Sequence, residues 1–291
     1  MLCRPVTALL LFPALFASVL RAEDTPAFTA ALEQFSAKQY PEARTAFQIL
    51  TLDEPANARA RYYLGRIAMK RGDADDAILQ FEKAVELDPG NSGYHAELGG
   101  AYGNAAEKAS LLSQMSFAKK CRAALEHAVE LDPGNLDARQ GLVDYYRQAP
   151  SFLGGGLLKA YDQARSIRQR DLERGTLILG QLYFMDRRYD EAIDLAKELI
   201  TAQPENYIGH YSIGRVAAES GAQPETGETH LRRCLELPPR QGDPSHAAVW
   251  WRLGNLAERR KDLVAARAAY NKSLELDPKF KQAADSLAKL P

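Results

Sequence analysis

The chain predicts an all-α solenoid of about seven antiparallel helical hairpins closed by a C-terminal capping helix, and three observations carry that expectation. The segment Ala84-Val-Glu-Leu-Asp-Pro-Gly-Asn91 recurs as Ala128-Val-Glu-Leu-Asp-Pro-Gly-Asn135, and in altered form as Ser273-Leu-Glu-Leu-Asp-Pro278. Where nothing interrupts the pattern the period is 34 residues, as from Pro55 to Pro89 and from Ala43 to Ala77. A Leu-Gly or Ile-Gly pair also returns at one place in the unit: Leu64-Gly65, Leu98-Gly99, Leu179-Gly180, Ile213-Gly214 and Leu253-Gly254.

Each unit reads as two helices. One turn after the Leu-Gly pair stands Ala68, Tyr102, Tyr183, Ala217 or Ala257. Glycine inside a helix costs about 1 kcal/mol against alanine, so its repeated use predicts that the facing helix comes too close for a side chain at all five positions. The second helix carries small and large residues at spacings of four and three, as in Ala43, Phe47, Leu50; Ala77, Phe81, Ala84; Ala192, Ala196, Leu199; and Ala266, Tyr270, Ser273. Those spacings put the three on one face, where they can fill the space between successive hairpins. The Asp-Pro that follows ends the helix, because proline restricts the residue before it and has no amide hydrogen.

In order, the hairpins are expected at about 24–57, 58–91, 92–135, 136–172, 173–206, 207–241 and 247–280, the first degenerate in its leading helix. A last helix, Lys279 to Leu290, covers the final apolar face and turns Lys279, Lys281, Gln282, Asp285 and Lys289 outward. Three places break the period. Pro89 to Pro133 is 44 residues, so the third unit carries ten extra, placed as helix extensions around 103–120. A polar stretch, Pro238-Pro-Arg-Gln-Gly-Asp-Pro-Ser-His246, separates the sixth and seventh units. The third break is Ala149-Pro-Ser-Phe-Leu-Gly-Gly-Gly-Leu-Leu-Lys-Ala160. It lacks the order of a phosphate-binding loop and no strand precedes it, so it is expected to be a helix-to-helix turn with Phe152 and Leu153 plugging the core.

The chain of 291 residues has 37 basic and 38 acidic side chains, a net charge of -1 that does not suit binding to nucleic acid. Residues 1–22 stand outside the repeats: Arg4, then an almost wholly apolar run over residues 5 to 20, with acids only from Glu23. This reads as a secretory signal peptide cut after Ala22, giving a periplasmic or secreted protein with residues 24–290 as its solenoid. An uncleaved anchor is the alternative, although 16 residues interrupted by Pro13 are short for a hydrocarbon core of about 30 Å. No lipid anchor follows from Cys3. Stable membrane insertion is not expected after cleavage, which would remove Arg4 and Arg21 and no acid.

Cys121 and Cys234 fall where neighbouring copies have small buried residues, and are expected as packed free thiols in different repeats. The five histidines, His95, His127, His210, His230 and His246, show no metal-ligand spacing. His95 and His210 share one repeat position, held by Trp250 in the seventh unit, which argues for packing. With no nucleophile elbow or acid–base set, neither an enzyme nor a bound cofactor is expected.

On the Leu-Gly, Tyr, Ala, Phe, Ala and Pro positions just quoted, the chain resembles the tetratricopeptide repeat family over roughly residues 25 to 290. The resemblance implies a right-handed superhelix whose concave groove, lined by the first helices, binds a protein or peptide. Carried over position by position, the groove residues are Arg59, Tyr62, Arg66 and Lys70; Gln140 and Asp144; Gln181; Tyr211 and Arg215; Trp251 and Asn255. Three cations beside a tyrosine suit an acidic partner. The two-carboxylate clamp of some family members is only partly matched, since Ala96 and Gly100 stand at groove positions of the next unit. The function implied is a non-catalytic scaffold or adaptor of the bacterial envelope. A second reading is an assembly or secretion factor that positions an envelope enzyme through its repeat insertions. Oligomeric state is not readable from the sequence.

Overall fold

The computed structural model describes residues 25–291, so the expected signal peptide lies outside the described residues. Seven helical hairpins follow one another among them: α1 (Pro26–Ser36) with α2 (Tyr40–Asp53), α3 (Ala58–Lys70) with α4 (Ala74–Leu87), α5 (Ser92–Lys108) with α6 (Leu111–Leu131), and α7 (Leu136–Gln148) with α8 (Leu157–Arg168). They continue as α9 (Leu172–Met185) with α10 (Tyr189–Ala202), α11 (Tyr207–Ser220) with α12 (Pro224–Glu236), and α13 (His246–Arg259) with α14 (Leu263–Leu276). The last helix, α15 (Lys281–Lys289), packs on α14. Contacts run to the partner helix and to the adjacent hairpins, the mark of an α-solenoid.

The turn that ends one hairpin also starts the next. In the recurrent Asp-Pro-Gly-Asn, Asn91 and Asn135 cap α5 and α7, their side-chain oxygens accepting from the amides of Tyr94 and Ala138. Asn57 and Asn206 do the same for α3 and α11. Asp73, Asp171 and Asp262 cap α4, α9 and α14. Each such cap satisfies a helix-end amide that has no intrahelical partner, worth about 1 kcal/mol.

Seating of a large side chain against glycine sets the spacing within hairpins. A methyl on Gly65 would lie 2.6 Å from the Phe81 ring, on Gly99 2.6 Å from Leu125, on Gly214 2.2 Å from Leu231, and on Gly254 2.3 Å from Tyr270. All four seated side chains are buried. Gly180 departs from the expectation of close approach, with nothing within 4 Å of its would-be methyl. The cause is Ala196, which stands on α10 where the other second helices carry Phe81, Leu125, Leu231 or Tyr270. A void of about 30 Å³ remains there, bordered by Gly180, Ala192, Ala196 and Leu199.

The ten extra residues lengthen both helices of the third hairpin. Relative to the second, α5 is four residues longer, α6 seven longer, and the turn between them one shorter. The break at 149–160 differs from the expected double plug. Residues Ser151–Leu153 form one 3-10 turn, whose side chains leave in three different directions. Leu153 is buried, whereas Phe152 is 74 % exposed. Gly154 then turns the chain with φ +87°. The amides of Gly154, Gly155 and Gly156 donate to the carbonyls of Ser151, Pro150 and Tyr146, leaving none of the three for an anion.

A single added methyl separates the two glycine environments. Gly214→Ala is expected to destabilise the fold by about 1–3 kcal/mol as Leu231 is forced from its seat. Gly180→Ala is expected to stabilise it by roughly 0.5–1 kcal/mol, because the open space accepts the methyl. Urea denaturation of both variants checks this; a loss of stability in Gly180→Ala would refute the seating account.

Candidate functional site

The first helices present their polar positions along one side of the stack, and most of these side chains reach the equivalent helix of the next hairpin. Arg66 on α3 lies 3.6 Å from Glu97 on α5. Gln140 on α7 accepts from Arg174 on α9 at 2.6 and 3.0 Å, and the same guanidinium meets Asp137 at 2.7 Å. Gln181 on α9 accepts from Arg215 on α11 at 3.0 Å. Glu219 on α11 meets Arg252 on α13 at 2.6 Å. Trp251 on α13 donates to Ser286 on α15 at 3.0 Å. The exposed ion pairs among these, Arg66 with Glu97 and Arg174 with Asp137, contribute about 0–1 kcal/mol each, so their effect is chiefly to hold side chains in one orientation.

This ladder sorts the eleven expected groove residues. Arg66, Gln140, Gln181, Arg215 and Trp251 belong to it. Asn255 accepts from Tyr270 at 2.9 Å, and Asp144 lies 3.7 Å from Arg147 on its own helix. Tyr211 is buried. The indole of Trp251 is further covered by Phe280 at 5.9 Å, so α15 occupies the seventh unit's part of the groove. The four residues of α3 remain together at the opposite end. Lys70 and Arg59 are exposed there, the latter with its guanidinium 4.3 Å from the centre of the Phe28 ring.

Beside Arg59 and Tyr62 the surface opens into a hollow of about 1190 Å³. Its walls come from α1, α3 and the turn leading into α5: Phe28, Tyr63, Tyr94 and Asn91 join Arg59 and Tyr62. Tyr62 packs at 5.2 Å from Tyr63 and 5.1 Å from Tyr94. Burial raises the Tyr62 phenol, and pushes that of Tyr94 up to about 12, so both stay neutral donors at physiological pH. Glu97 is raised by burial against the pull of Arg66. The hollow thus combines flat neutral rings with one cation, Arg59, and two carboxylates, Glu54 and Asp88. Tyr63 and Tyr94 are absent from the sequence-derived set. The available signal for Tyr94 is its position, five residues before Gly99, where other copies have Ala60, Gly175 or Gly209.

The tetratricopeptide repeat family matches residues 28–92, 155–207 and 177–240 in one form, and 247–280 in another. The chain belongs to the tetratricopeptide repeat family. Among solved structures, a tetratricopeptide repeat protein of Parabacteroides merdae is similar at a TM-score of 0.58 and 14 % identity, covering 90 % of this chain and 96 % of the other. The C-terminal part of a repeat protein of Cytophaga hutchinsonii aligns at 0.58 with 18 % identity, over 89 % of this chain and 99 % of that one. PilF of Pseudomonas aeruginosa aligns at 0.52 with 15 % identity, over 80 % and 97 % respectively. At such identities the likeness is one of fold. No curated protein matches the sequence. Proteins of this family are generally scaffolds that bind other proteins.

In this tetratricopeptide repeat chain the histidines have structural partners. His95, Arg139 and His210 each donate to the carbonyl of a proline six residues earlier, Pro89, Pro133 and Pro204, all at 2.9 Å. They tie α5, α7 and α11 to the turns before them, so His95 and His210 add a hydrogen bond to the packing that their shared repeat position implies. With Nε2 of His210 committed to a carbonyl, its Nδ1 accepts from Nδ1 of His230 at 2.8 Å. Cys121 and Cys234 are buried free thiols, burial pushing them up to about 11 and about 12, which makes them poor nucleophiles. No cluster of three potential metal ligands occurs among the described residues. No described helix is long and apolar enough to cross a membrane.

Burial, the adjacent His210 and Lys197 hold His230 below the ordinary imidazole range. The unfolded chain then binds more protons than the folded one, so the stabilisation is complete above about pH 6.5 and is lost as pH falls through the lower folded value. The thermal midpoint is expected to drop between pH 7 and 5, and His230→Gln to drop by less over the same range. Parallel profiles for the two proteins would exclude the pair as the cause.

Proposed function

We propose that this chain is a non-catalytic scaffold or adaptor of the bacterial envelope, acting in the periplasm or outside the cell, and that it holds a segment of a partner protein against its first helices. The observation that carries the reading is the exposed stripe of α3, with Arg59 beside a hollow walled by Tyr62, Tyr63 and Tyr94 and Lys70 exposed at the other end of the helix. Neutral rings supply rigid contact area at small entropic cost, and the cations select carboxylates. The occupant this chemistry favours is an extended segment that lays apolar residues on the rings and a carboxylate on the α3 cations, clear of Glu54 and Asp88. The address rests on the apolar leader at 5–20. The family is generally non-catalytic, the thiols are buried and the histidines have structural partners, which supports a binding role.

Capture from periplasmic and culture-supernatant extracts, with mass spectrometry of retained proteins, tests the proposal. Arg59→Glu combined with Lys70→Glu is expected to weaken a retained partner by about tenfold or more in subsequent titration. Arg66 is left intact because its pairing with Glu97 joins two hairpins. Retention unaltered by the double substitution would move the binding surface away from α3.

A further inference from the structure

The extended third hairpin carries a surface that the groove reading does not use. The added turns of α6 carry its start about 10 Å beyond the neighbouring second helices. At that tip Leu111 and Leu112 are 72 % and 78 % exposed. Down α6, Leu111, Met115 and Arg122 succeed one another at spacings of four and seven, on one helical face. Arg122 donates to the carbonyl of Leu153 at 2.9 Å, which sets the α7–α8 turn against that same face. The turn adds Phe152 and, at the start of α8, Leu158, the latter 79 % exposed.

Charge separates this surface from the other exposed apolar side chains of the molecule. From Lys108 to Leu125 there is no acid, while Lys108, Lys119, Lys120 and Arg122 are present. From Tyr145 to Tyr161 there is again no acid, and Arg147 and Lys159 are present. Arg122 and Arg147 are paired with the flanking Glu126 and Asp144, which leaves Lys108, Lys119, Lys120 and Lys159 as the net positive charge of the two segments. Lys119 and Lys120 are exposed and make no ion pair among the described residues. A protein partner can be met by apolar contact alone; leucines projecting at a tip, with Lys119 and Lys120 about two turns behind them on α6, the latter over the Tyr102 ring, match a layered partner with anionic groups outside and hydrocarbon beneath.

We propose that the α5–α6 tip, with the α7–α8 turn beside it, docks peripherally on a bilayer surface rich in anionic phospholipid. Leu111, Leu112, Phe152 and Leu158 enter the interface and Lys119 and Lys120 lie at the headgroups. The groove end at α3 then stays exposed to solvent and available to a partner.

The test uses the full chain with Leu112→Trp as a reporter at the tip, so that residues 1–24 do not contribute to the signal. Vesicles of phosphatidylglycerol with phosphatidylcholine are expected to shift the reporter's emission to the blue, and pure phosphatidylcholine vesicles are not. In the same background Lys119→Glu with Lys120→Glu should weaken the response about tenfold or more, and 0.5 M salt should do likewise. Phe152→Ser should weaken it without altering the helical circular dichroism. The proposal is overturned by absence of a shift with anionic vesicles, by a shift equal on neutral vesicles and indifferent to charge reversal, or by a shift produced instead by a soluble acidic protein.

Discussion

The close seating of one large side chain of a second helix against a glycine of the facing first helix, in four of the seven hairpins, is the constraint on which the spacing of those hairpins depends. Phe81, Leu125, Leu231 and Tyr270 each fill the space that a methyl on Gly65, Gly99, Gly214 or Gly254 would take. A mid-helix glycine costs about 1 kcal/mol, and full burial of such a side chain returns about 1.5–3 kcal/mol. Because the same seat recurs, the two helices approach alike in each of these units, and successive hairpins meet in a common register. The polar ladder keeps the repeat length even beside the empty seat of Gly180. Gln140 with Arg174 and Gln181 with Arg215 are both 34 residues apart, the undisturbed repeat length.

Much of this architecture is legible because it is written at fixed intervals. Pro89 and Pro133 mark helix ends by lacking an amide hydrogen, and Gly65 or Gly214 mark close approach by the cost they impose. What escapes is what depends on the identity of a neighbour. Gly180 carries the same signature as Gly214, but its seat is empty because Ala196 on the opposite helix is too small. Phe152 and Leu153 look equivalent as apolar neighbours, and a 3-10 turn sends only one of them inward. In Asp-Pro-Gly-Asn the proline marks a helix end by its repetition, while the asparagine that caps the next helix is legible from residue type alone.

The groove shows the same division. Periodicity places Arg66, Gln140, Gln181 and Arg215 on first helices, but cannot show that these side chains are committed to one another. Pairing also explains why Trp251 and Asn255 differ from the α3 residues despite occupying corresponding positions: α15 and Tyr270 engage them. The aromatic wall at the other end escapes for a different reason. Tyr94 stands where other copies keep small residues, Ala60, Gly175, Gly209 and Val249, so a rule that reads fixed positions for function assigns it to packing.

Nearest-neighbour contact also governs how two surfaces can coexist on one chain. The α3 hollow and the α5–α6 tip lie at different ends of adjacent hairpins: the hollow opens by the turn entering α5, the tip by the turn leaving it. Between them α5 is held by the seat of Leu125 against Gly99 and by Tyr102, whose hydroxyl donates to Glu82 at 2.5 Å. A load applied at the tip is therefore borne by buried packing before it reaches Tyr94. A scaffold of this kind gains from such rigidity, since an occupant of the hollow loses no affinity to reordering of its site when the tip is engaged. The ten inserted residues lengthen a hairpin without altering its seat, which is how the repeat accommodates a second surface while its stacking is preserved.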